Sequence, residues 1–202
     1  LLIGGIIWGV MGDKKGRLSV LFGSIILYSL ANIANGFVET TGQFKMIRFI
    51  AGLGLAGELG AGITLVAELI RKEKRGIATS FVAGLGLTGA VVAFIMKENF
   101  DWRTCYFIGG GLGLLLLILR ISVFESGMFH EVKKMDVQRG NFFMLFTSWD
   151  RLKRYILSIL IGLPTWFVIG VLVTFSSEFG KWMNIKEKID PGKAIMYAYA
   201  AI

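Results

Sequence analysis

Three ionisable residues interrupt apolar stretches of this 202-residue sequence and are the first candidates for chemistry: Arg48, Glu58 and Glu68. A charged side chain at the centre of a bilayer costs about 2.5–3.5 kcal/mol on insertion scales, so such residues usually face a polar pathway or a partner. Glu58, near the middle of its stretch, is a candidate for carrying a proton or contacting a substrate; an interhelical hydrogen bond is the structural alternative. Arg48 either lines the same pathway or anchors a helix at the interface. Glu68 precedes a basic segment, and we expect it to form an ion pair.

Other kinds of chemistry have little support in the sequence. His130 and Cys105 are its single histidine and single cysteine, too few for a His/Cys metal site or an internal disulfide. No Ser-His-Asp or Cys-His arrangement occurs, so we predict that the protein is not an enzyme and needs no cofactor. The glycine-rich run at 52–62 follows no strand and lies in an apolar stretch, so it indicates close helix packing rather than nucleotide binding.

The elements that position these residues are apolar runs long enough to cross a membrane. Hydrophobic residues make up 54% of the chain, above the 45–50% usual for soluble domains. A membrane helix needs about 20 apolar residues, and five runs of about that length or longer occur. We therefore predict an all-α integral membrane protein with spans at Leu18–Phe37, Phe44–Ile70, Ile77–Met96, Thr104–Ile121 and Tyr155–Ser177.

Both ends of the chain are apolar but shorter than a membrane span. Leu1–Met11 begins without a basic segment or a cleavage site, so it does not resemble a signal peptide. Ala194–Ile202 is about half as long as a span requires. We expect these segments to be parts of two further helices and the chain to be an internal segment of a longer protein.

The net charge of +8 indicates how the helices are oriented. Lys and Arg number 14 in the first, third and fifth breaks between the helices, against seven in the alternate breaks. The side richer in Lys and Arg is usually cytoplasmic, so we predict that Asp13–Arg17, Arg71–Arg75 and Arg120–Arg154 lie in the cytoplasm. Because orientation explains the basic charge, we predict no nucleic-acid partner.

The run after the longest connection contains a proline. Pro164 removes a backbone hydrogen bond, and broken membrane helices often line a cavity. Trp166 would then face substrate; the alternative is a simple kink with a lipid-facing Trp166.

Several motifs, in order along the chain, resemble those of major facilitator superfamily transporters. The cytoplasmic signature G-x-x-x-D-x-x-G-R occurs at Gly9, Asp13, Gly16 and Arg17. The other matches are R-x-x-x-G-x-G at Arg48, an E…R-G pattern at Glu68 and Arg75, W-R at Trp102, and E-S at Glu125. In sugar-porter-like and metabolite/proton-symporter-like branches a proline follows the last motif, where this chain has Gly127.

The resemblance implies a major facilitator-type helical bundle running from the family's helix 2 to the start of its helix 8. Residues 1–123 would belong to the N-terminal six-helix bundle, 124–154 would form the cytoplasmic linker between bundles, and 155–202 would begin the C-terminal bundle. It also implies a cytoplasmic gating cluster that holds the outward-facing state. Its members would be Gly9, Asp13, Gly16, Arg17, Glu68, Arg75 and Glu125.

The motifs and the intramembrane charges together predict a secondary transporter. We expect it to move a small polar organic solute, either a sugar or a carboxylate or zwitterionic metabolite, by alternating access and with a proton. Arg48, Glu58 and Trp166 are the predicted pathway residues. The alternatives are an uncoupled uniporter and a membrane sensor or scaffold that transports nothing. We expect a monomer in the lipid bilayer of the cell (inner or plasma) membrane.

Overall fold

The structure is a computed structural model that describes residues 1–119, 140–185 and 190–200. All the regular elements of these residues are helical. The α-helices are α1 (Leu2–Lys15), α2 (Arg17–Gly36), α3 (Thr41–Leu69), α4 (Arg75–Asn99), α5 (Trp102–Leu119), α6 (Trp149–Phe167), α7 (Ser176–Trp182) and α8 (Pro191–Ala200). Short 3₁₀ helices cover Lys72–Lys74 and Phe142–Phe146, and a π-helix covers Val168–Val173.

Four of the predicted membrane spans are confirmed as long apolar helices. Among the described residues, α2, α3, α5 and the continuous helical segment Lys72–Asn99 are long and apolar enough to cross a membrane. Their ends lie within a few residues of the predicted boundaries, because charged and glycine-containing breaks separate the apolar runs.

The fifth predicted span, Tyr155–Ser177, is not one continuous α-helix. The α-helix α6 already begins at Trp149 and ends at Phe167, and the chain continues as a π-helix to Val173. Pro164 lies inside α6 and has no N–H to donate to the carbonyl four residues earlier. Such a gap in the hydrogen-bond ladder is a common site for a kink or a π-type turn.

The described chain forms two compact units. The first contains Leu1–Val82 and Phe100–Phe142, and the second contains Ala83–Asn99 and Phe143–Ile202. In the first unit α2 packs against α1, α3 and α5. Its most buried apolar cluster consists of Val20, Leu21, Ala61 and Leu65, with Trp8, Met11 and Leu18 packed around it.

Glycines allow the helices of the first unit to approach closely. A Cβ at Gly54 of α3 would lie 2.7 Å from the backbone nitrogen of Tyr28 in α2. A Cβ at Gly110 of α5 would lie 2.8 Å from the carbonyl oxygen of Ser29, also in α2. In both cases the added Cβ would meet a backbone atom of α2, so rotation of a side chain could not make room for it. Small residues at helix crossings are the usual means by which membrane helices pack.

Candidate functional site

A single residue, Gly16, separates α1 from α2 and sets the geometry of the G-x-x-x-D-x-x-G-R motif. Its φ of 99° and ψ of 158° lie in a region that is essentially restricted to glycine. Its N–H donates to the carbonyl of Gly12, which closes the last turn of α1. This turn is why Arg17, the first residue of α2, lies beside the end of α1.

Gly16→Ala is expected to destabilise the protein by about 1–3 kcal/mol, the usual cost of forcing a side chain into this backbone region. Gly9→Ala is the matched control in the same motif, because a Cβ at Gly9 meets nothing within 4 Å and alanine favours a helix. Thermal unfolding of the purified proteins in detergent measures the stability of both variants. A Gly16→Ala variant as stable as Gly9→Ala would show that the turn does not need a glycine.

Arg17 joins two carboxylates from different helices. Its Nη1 lies 2.8 Å from Oδ1 of Asp13, one turn earlier in sequence, and its Nε lies 3.3 Å from Oε1 of Glu68 on α3. The Glu68 side chain is 15% exposed and that of Arg17 is 21% exposed, whereas Asp13 is 47% exposed. A Cβ at Gly12 would lie 2.8 Å from Nη1 of Arg17, so a glycine there leaves room for the guanidinium. The structure thus brings three of the predicted gating residues into one ion cluster.

Arg17→Gln should cost about 1–3 kcal/mol of unfolding free energy, because Asp13 and Glu68 lose their shared cation. The loss should be smaller than the 3–5 kcal/mol of a fully buried pair, since water screens the exposed Asp13 side of the cluster. Lys15→Gln removes a positive charge from an exposed neighbour and should have little effect. Chemical or thermal unfolding compares the two variants, and equal losses would contradict a specific role for Arg17.

The other predicted gating residues are placed differently. The Nε of Arg75 donates to the carbonyl of Ile70 at 3.1 Å, so Arg75 binds the chain at the end of α3. Arg17 makes two ion pairs in the Asp13–Arg17–Glu68 cluster, one with each carboxylate. Glu125 lies outside the described residues.

Trp8 makes a contact between helices that the sequence analysis did not predict. Its Nε1 donates to the carbonyl of Leu53 at 2.7 Å, which ties α1 to α3. A Cβ at Gly57 would lie 2.6 Å from the Trp8 ring, and one at Gly23 would lie 3.0 Å from it. The signals available in the sequence were the tryptophan in α1 and the glycines of the facing helices, Gly23 on α2 and Gly57 on α3. A cavity of about 170 Å³ lies beside Trp8 and extends to Arg17 and Thr64.

The three intramembrane charges are evenly spaced along α3. Glu68 follows Arg48 by 20 residues, which at 1.5 Å per residue is about 30 Å, the thickness of the hydrocarbon core. Glu58 lies halfway, about 15 Å from each. The half-buried Glu58 side chain therefore lies at the midpoint of this length, and its depth in the membrane stays a prediction.

Arg48 contacts an aromatic side chain. Its guanidinium carbon lies 5.8 Å from the ring centroid of Tyr106 on α5, and Phe44 also packs edge-on against Tyr106. Phe44 and Tyr106 line a groove of about 460 Å³. In the part of the chain that the structure describes, Arg48 has no ion pair with a carboxylate.

The W-R motif at the start of α5 has a structural role that the sequence did not reveal. Nη2 of Arg103 donates to the carbonyl of Val38 at 2.9 Å and Nη1 donates to that of Gly36 at 3.5 Å, so Arg103 binds the end of α2. Asp101 accepts hydrogen bonds from Arg103 and Thr104. The Thr104 side chain is the main cause that lowers the pKa of Asp101 below its ordinary value.

Trp166 lies on α6 in the second compact unit and is 63% exposed. Its ring packs beside Gly162, one turn earlier. Its contact with substrate stays a prediction, as do the pathway roles of Arg48 and Glu58. Within the residues that the structure describes, no group of three or more His, Cys, Asp or Glu side chains could hold a metal ion.

Comparison with known proteins agrees with the fold and the motifs. The family model of the Major Facilitator Superfamily matches residues 1–201, so this chain belongs to that superfamily of integral membrane proteins. The predictions of the family and of an all-helical major facilitator fold are therefore confirmed.

Individual relatives and a solved structure are similar over large parts of the chain. A probable 4-methylmuconolactone transporter of Cupriavidus pinatubonensis is 33% identical over 71% of this chain and 36% of its own length. The benzoate transport protein of Acinetobacter baylyi is 31% identical over 71% of this chain and 33% of its own. The xylose transporter XylE of E. coli, in a partially occluded inward-open conformation, matches 88% of this chain and 50% of its own, with a TM-score of 0.56 and 20% identity. The chain spans about a third of the length of the two sequence relatives.

Proposed function

We propose that this protein is a secondary transporter that moves a small organic carboxylate across a membrane together with a proton, by alternating access. The observation that carries the proposal is the placement of Glu58 on α3, midway between Arg48 and the Glu68–Arg17 ion pair. A carboxylate at that depth is stable when protonated, paired or hydrated, and a proton carrier changes between such states during a transport cycle.

Arg48 favours an anionic substrate. Its Cα lies about 15 Å from that of Glu58 along the axis of α3, and its guanidinium contacts the Tyr106 ring. A guanidinium next to aromatic rings suits a small carboxylate with an apolar body, since it can bind both oxygens at once. The benzoate transport protein, one of the relatives, is named for such a molecule.

The gating cluster supports alternating access. Arg17 links Asp13 and Glu68 through a partly exposed ion pair, which can break and re-form at a modest energetic cost. Breaking this cluster would release the cytoplasmic end of α3 from the α1–α2 turn, as required for opening towards the cytoplasm.

Solute-driven proton uptake by the full-length protein in proteoliposomes tests the proposal. A pH dye trapped inside the vesicles reports acidification as benzoate, a neutral sugar, an amino acid and a betaine are added separately. We expect acidification with the carboxylate alone. Labelled solute that enters without acidification would indicate an uncoupled uniporter. If no solute enters, the protein is a sensor or scaffold rather than a transporter.

A further inference from the structure

A groove in the first compact unit lies where three helices begin or end. Its lining comes from the connection between α2 and α3, the first turn of α3 and the first two turns of α5, and consists of Val38, Glu39, Thr40, Thr41, Phe44, Trp102, Arg103 and Tyr106. The volume of about 460 Å³ falls within the range of about 300–1,000 Å³ that is usual for small-molecule sites. About 21 Å of α3 separates Phe44 from Glu58, so the groove is distinct from the predicted proton site.

Three aromatic rings from two helices line the groove and contact one another edge-on. The ring centroids of Phe44 and Tyr106 are 6.4 Å apart, and those of Tyr106 and Trp102 are 6.1 Å apart. Phe44 and Tyr106 are half-buried, and Trp102 is exposed over about half of its surface. Because edge-on contacts hold the rings in a fixed arrangement, the groove presents a preformed apolar surface to a ligand.

The lining also contains one charged side chain of each sign, Glu39 and Arg103. Both are exposed, and among the described residues neither forms an ion pair with the other or with any third side chain. Arg48 contacts Tyr106 but is not part of the lining. The groove therefore combines an apolar surface with an unpaired acid and an unpaired base.

Arg103 is held in place without being neutralised. Its two Nη atoms donate to the carbonyls of Gly36 and Val38, and its guanidinium carbon lies 5.0 Å from the ring centroid of Trp102. A guanidinium has five N–H donors, so these two hydrogen bonds leave three for a ligand. The neighbouring carboxylate of Asp101 instead accepts the backbone N–H groups at the start of α5.

The two charges define the class of ligand that fits the groove. A simple carboxylate would pair with Arg103 but would be repelled by Glu39, and a simple amine would meet the opposite problem. A molecule that carries both an ammonium and a carboxylate group leaves neither side chain unpaired. An apolar or aromatic body on the same molecule would cover the exposed rings.

We propose that this groove binds a small zwitterion with an aromatic or other apolar body. Its ammonium group pairs with Glu39, its carboxylate pairs with Arg103, and its body packs against Phe44, Tyr106 and Trp102. The distribution of Lys and Arg predicts that the groove faces the outer side of the membrane, so such a ligand would reach it from outside. The site does not depend on the proposed transport function.

Three probes with one common body test the ligand class. Radiolabelled free phenylalanine is bound to the purified full-length protein in detergent, and unlabelled phenylalanine, phenylpropionate and phenethylamine compete with it. Phenylpropionate lacks the ammonium group and phenethylamine lacks the carboxylate, so we expect each to compete about five-fold more weakly than phenylalanine. Absence of phenylalanine binding, or equal competition by all three, would overturn the proposal.

Glu39→Gln tests the acid, with Glu98→Gln as the matched control. Both variants remove one exposed carboxylate from the predicted outer side, but Glu98 lies at the end of α4 and outside the groove. We expect Glu39→Gln to weaken phenylalanine binding about five-fold and to leave phenylpropionate binding no weaker, whereas Glu98→Gln changes neither. Equal weakening of both ligands by Glu39→Gln would contradict an ion pair with the ammonium group.

Trp102→Leu tests the location of the site, with Trp182→Leu as its control. Trp182 is another exposed tryptophan, but it lies in the second compact unit. We expect Trp102→Leu to lower the affinity for phenylalanine about ten-fold and Trp182→Leu to leave it unchanged. Thermal unfolding confirms that each variant is folded. Wild-type affinity in a folded Trp102→Leu variant would overturn the groove as the site, and the transport proposal would stand, because uptake is measured separately.

Discussion

Gly110→Val is expected to prevent the protein from folding or to destabilise it by about 3 kcal/mol or more, the upper range of overpacking costs. A Cβ at this position would lie 2.8 Å from the Ser29 carbonyl oxygen and 3.1 Å from the Ile33 nitrogen, both in the backbone of α2. The two helices would have to separate, and α2 also holds α1 and α3 in place. Yield of monodisperse protein and thermal unfolding in detergent measure the effect.

Gly111→Val is the matched control. It changes the adjacent residue of the same helix, with the same small change in helix propensity, but a Cβ there meets nothing within 4 Å. We expect near wild-type yield and stability. Equal damage by the two variants would show that the contact between α5 and α2 is not what makes glycine necessary at position 110.

This pair of glycines illustrates what the sequence could and could not predict. The glycine-rich runs of α3 and α5 correctly indicated close helix packing. Which glycine contacts a neighbour depends on how each helix is rotated about its axis, and that rotation is set by the partner helices. A run in which nearly every residue is small or apolar has no single periodic face that would reveal it. Gly110 and Gly111 are therefore indistinguishable in sequence.

The polar residues of α2 show the opposite case, an orientation that the sequence could have predicted. Ser24, Ser29, Asn32 and Asn35 are at most 3% exposed, and α2 presents them to its neighbours rather than to the surface. Among the described residues, the Ser29 hydroxyl and both polar atoms of the Asn35 amide are buried without a hydrogen-bond partner. Polar groups in a membrane helix avoid lipid and face the bundle, so their orientation follows a physical rule that the sequence analysis did not apply.

Local signals predicted the ends of the helices and part of the ion cluster. Charged breaks set the boundaries of the four confirmed spans, and Asp13 and Arg17 are separated by a single helical turn of sequence. Their pairing with Glu68 is a contact across 51 residues, and the family resemblance, rather than any local pattern, predicted it. Arg75 binds the nearby Ile70 carbonyl instead, because a free carbonyl at the end of α3 is a closer acceptor.

The fifth predicted span differs from the other four in the types of helix that form it. The run from Tyr155 to Ser177 is apolar throughout its central part, so its composition predicts one helix. Pro164 removes one N–H from the hydrogen-bond ladder, and the α-helix gives way to a π-helix four residues later. The sequence analysis predicted an interruption at Pro164, but not that the interruption would be a π-helix beginning four residues later.

Glu58→Gln is expected to reduce proton-driven accumulation of solute by at least about ten-fold, because a glutamine resembles the protonated acid and cannot release the proton. Exchange of labelled for unlabelled solute across the membrane needs no net proton movement, so it should continue. Accumulation and exchange are measured on the same proteoliposomes, which separates loss of coupling from loss of folding.

Two further variants serve as controls for Glu58→Gln. Glu73→Gln removes a carboxylate from the exposed turn between α3 and α4 and should leave both activities unchanged, since this residue lies outside the apolar part of the helix. Glu58→Asp keeps an acid at the same depth and should retain partial accumulation. If Glu58→Gln accumulates solute as well as Glu73→Gln does, the carboxylate halfway along α3 carries no proton. Its role would then be an interhelical contact, which would appear as lower thermal stability with unchanged coupling.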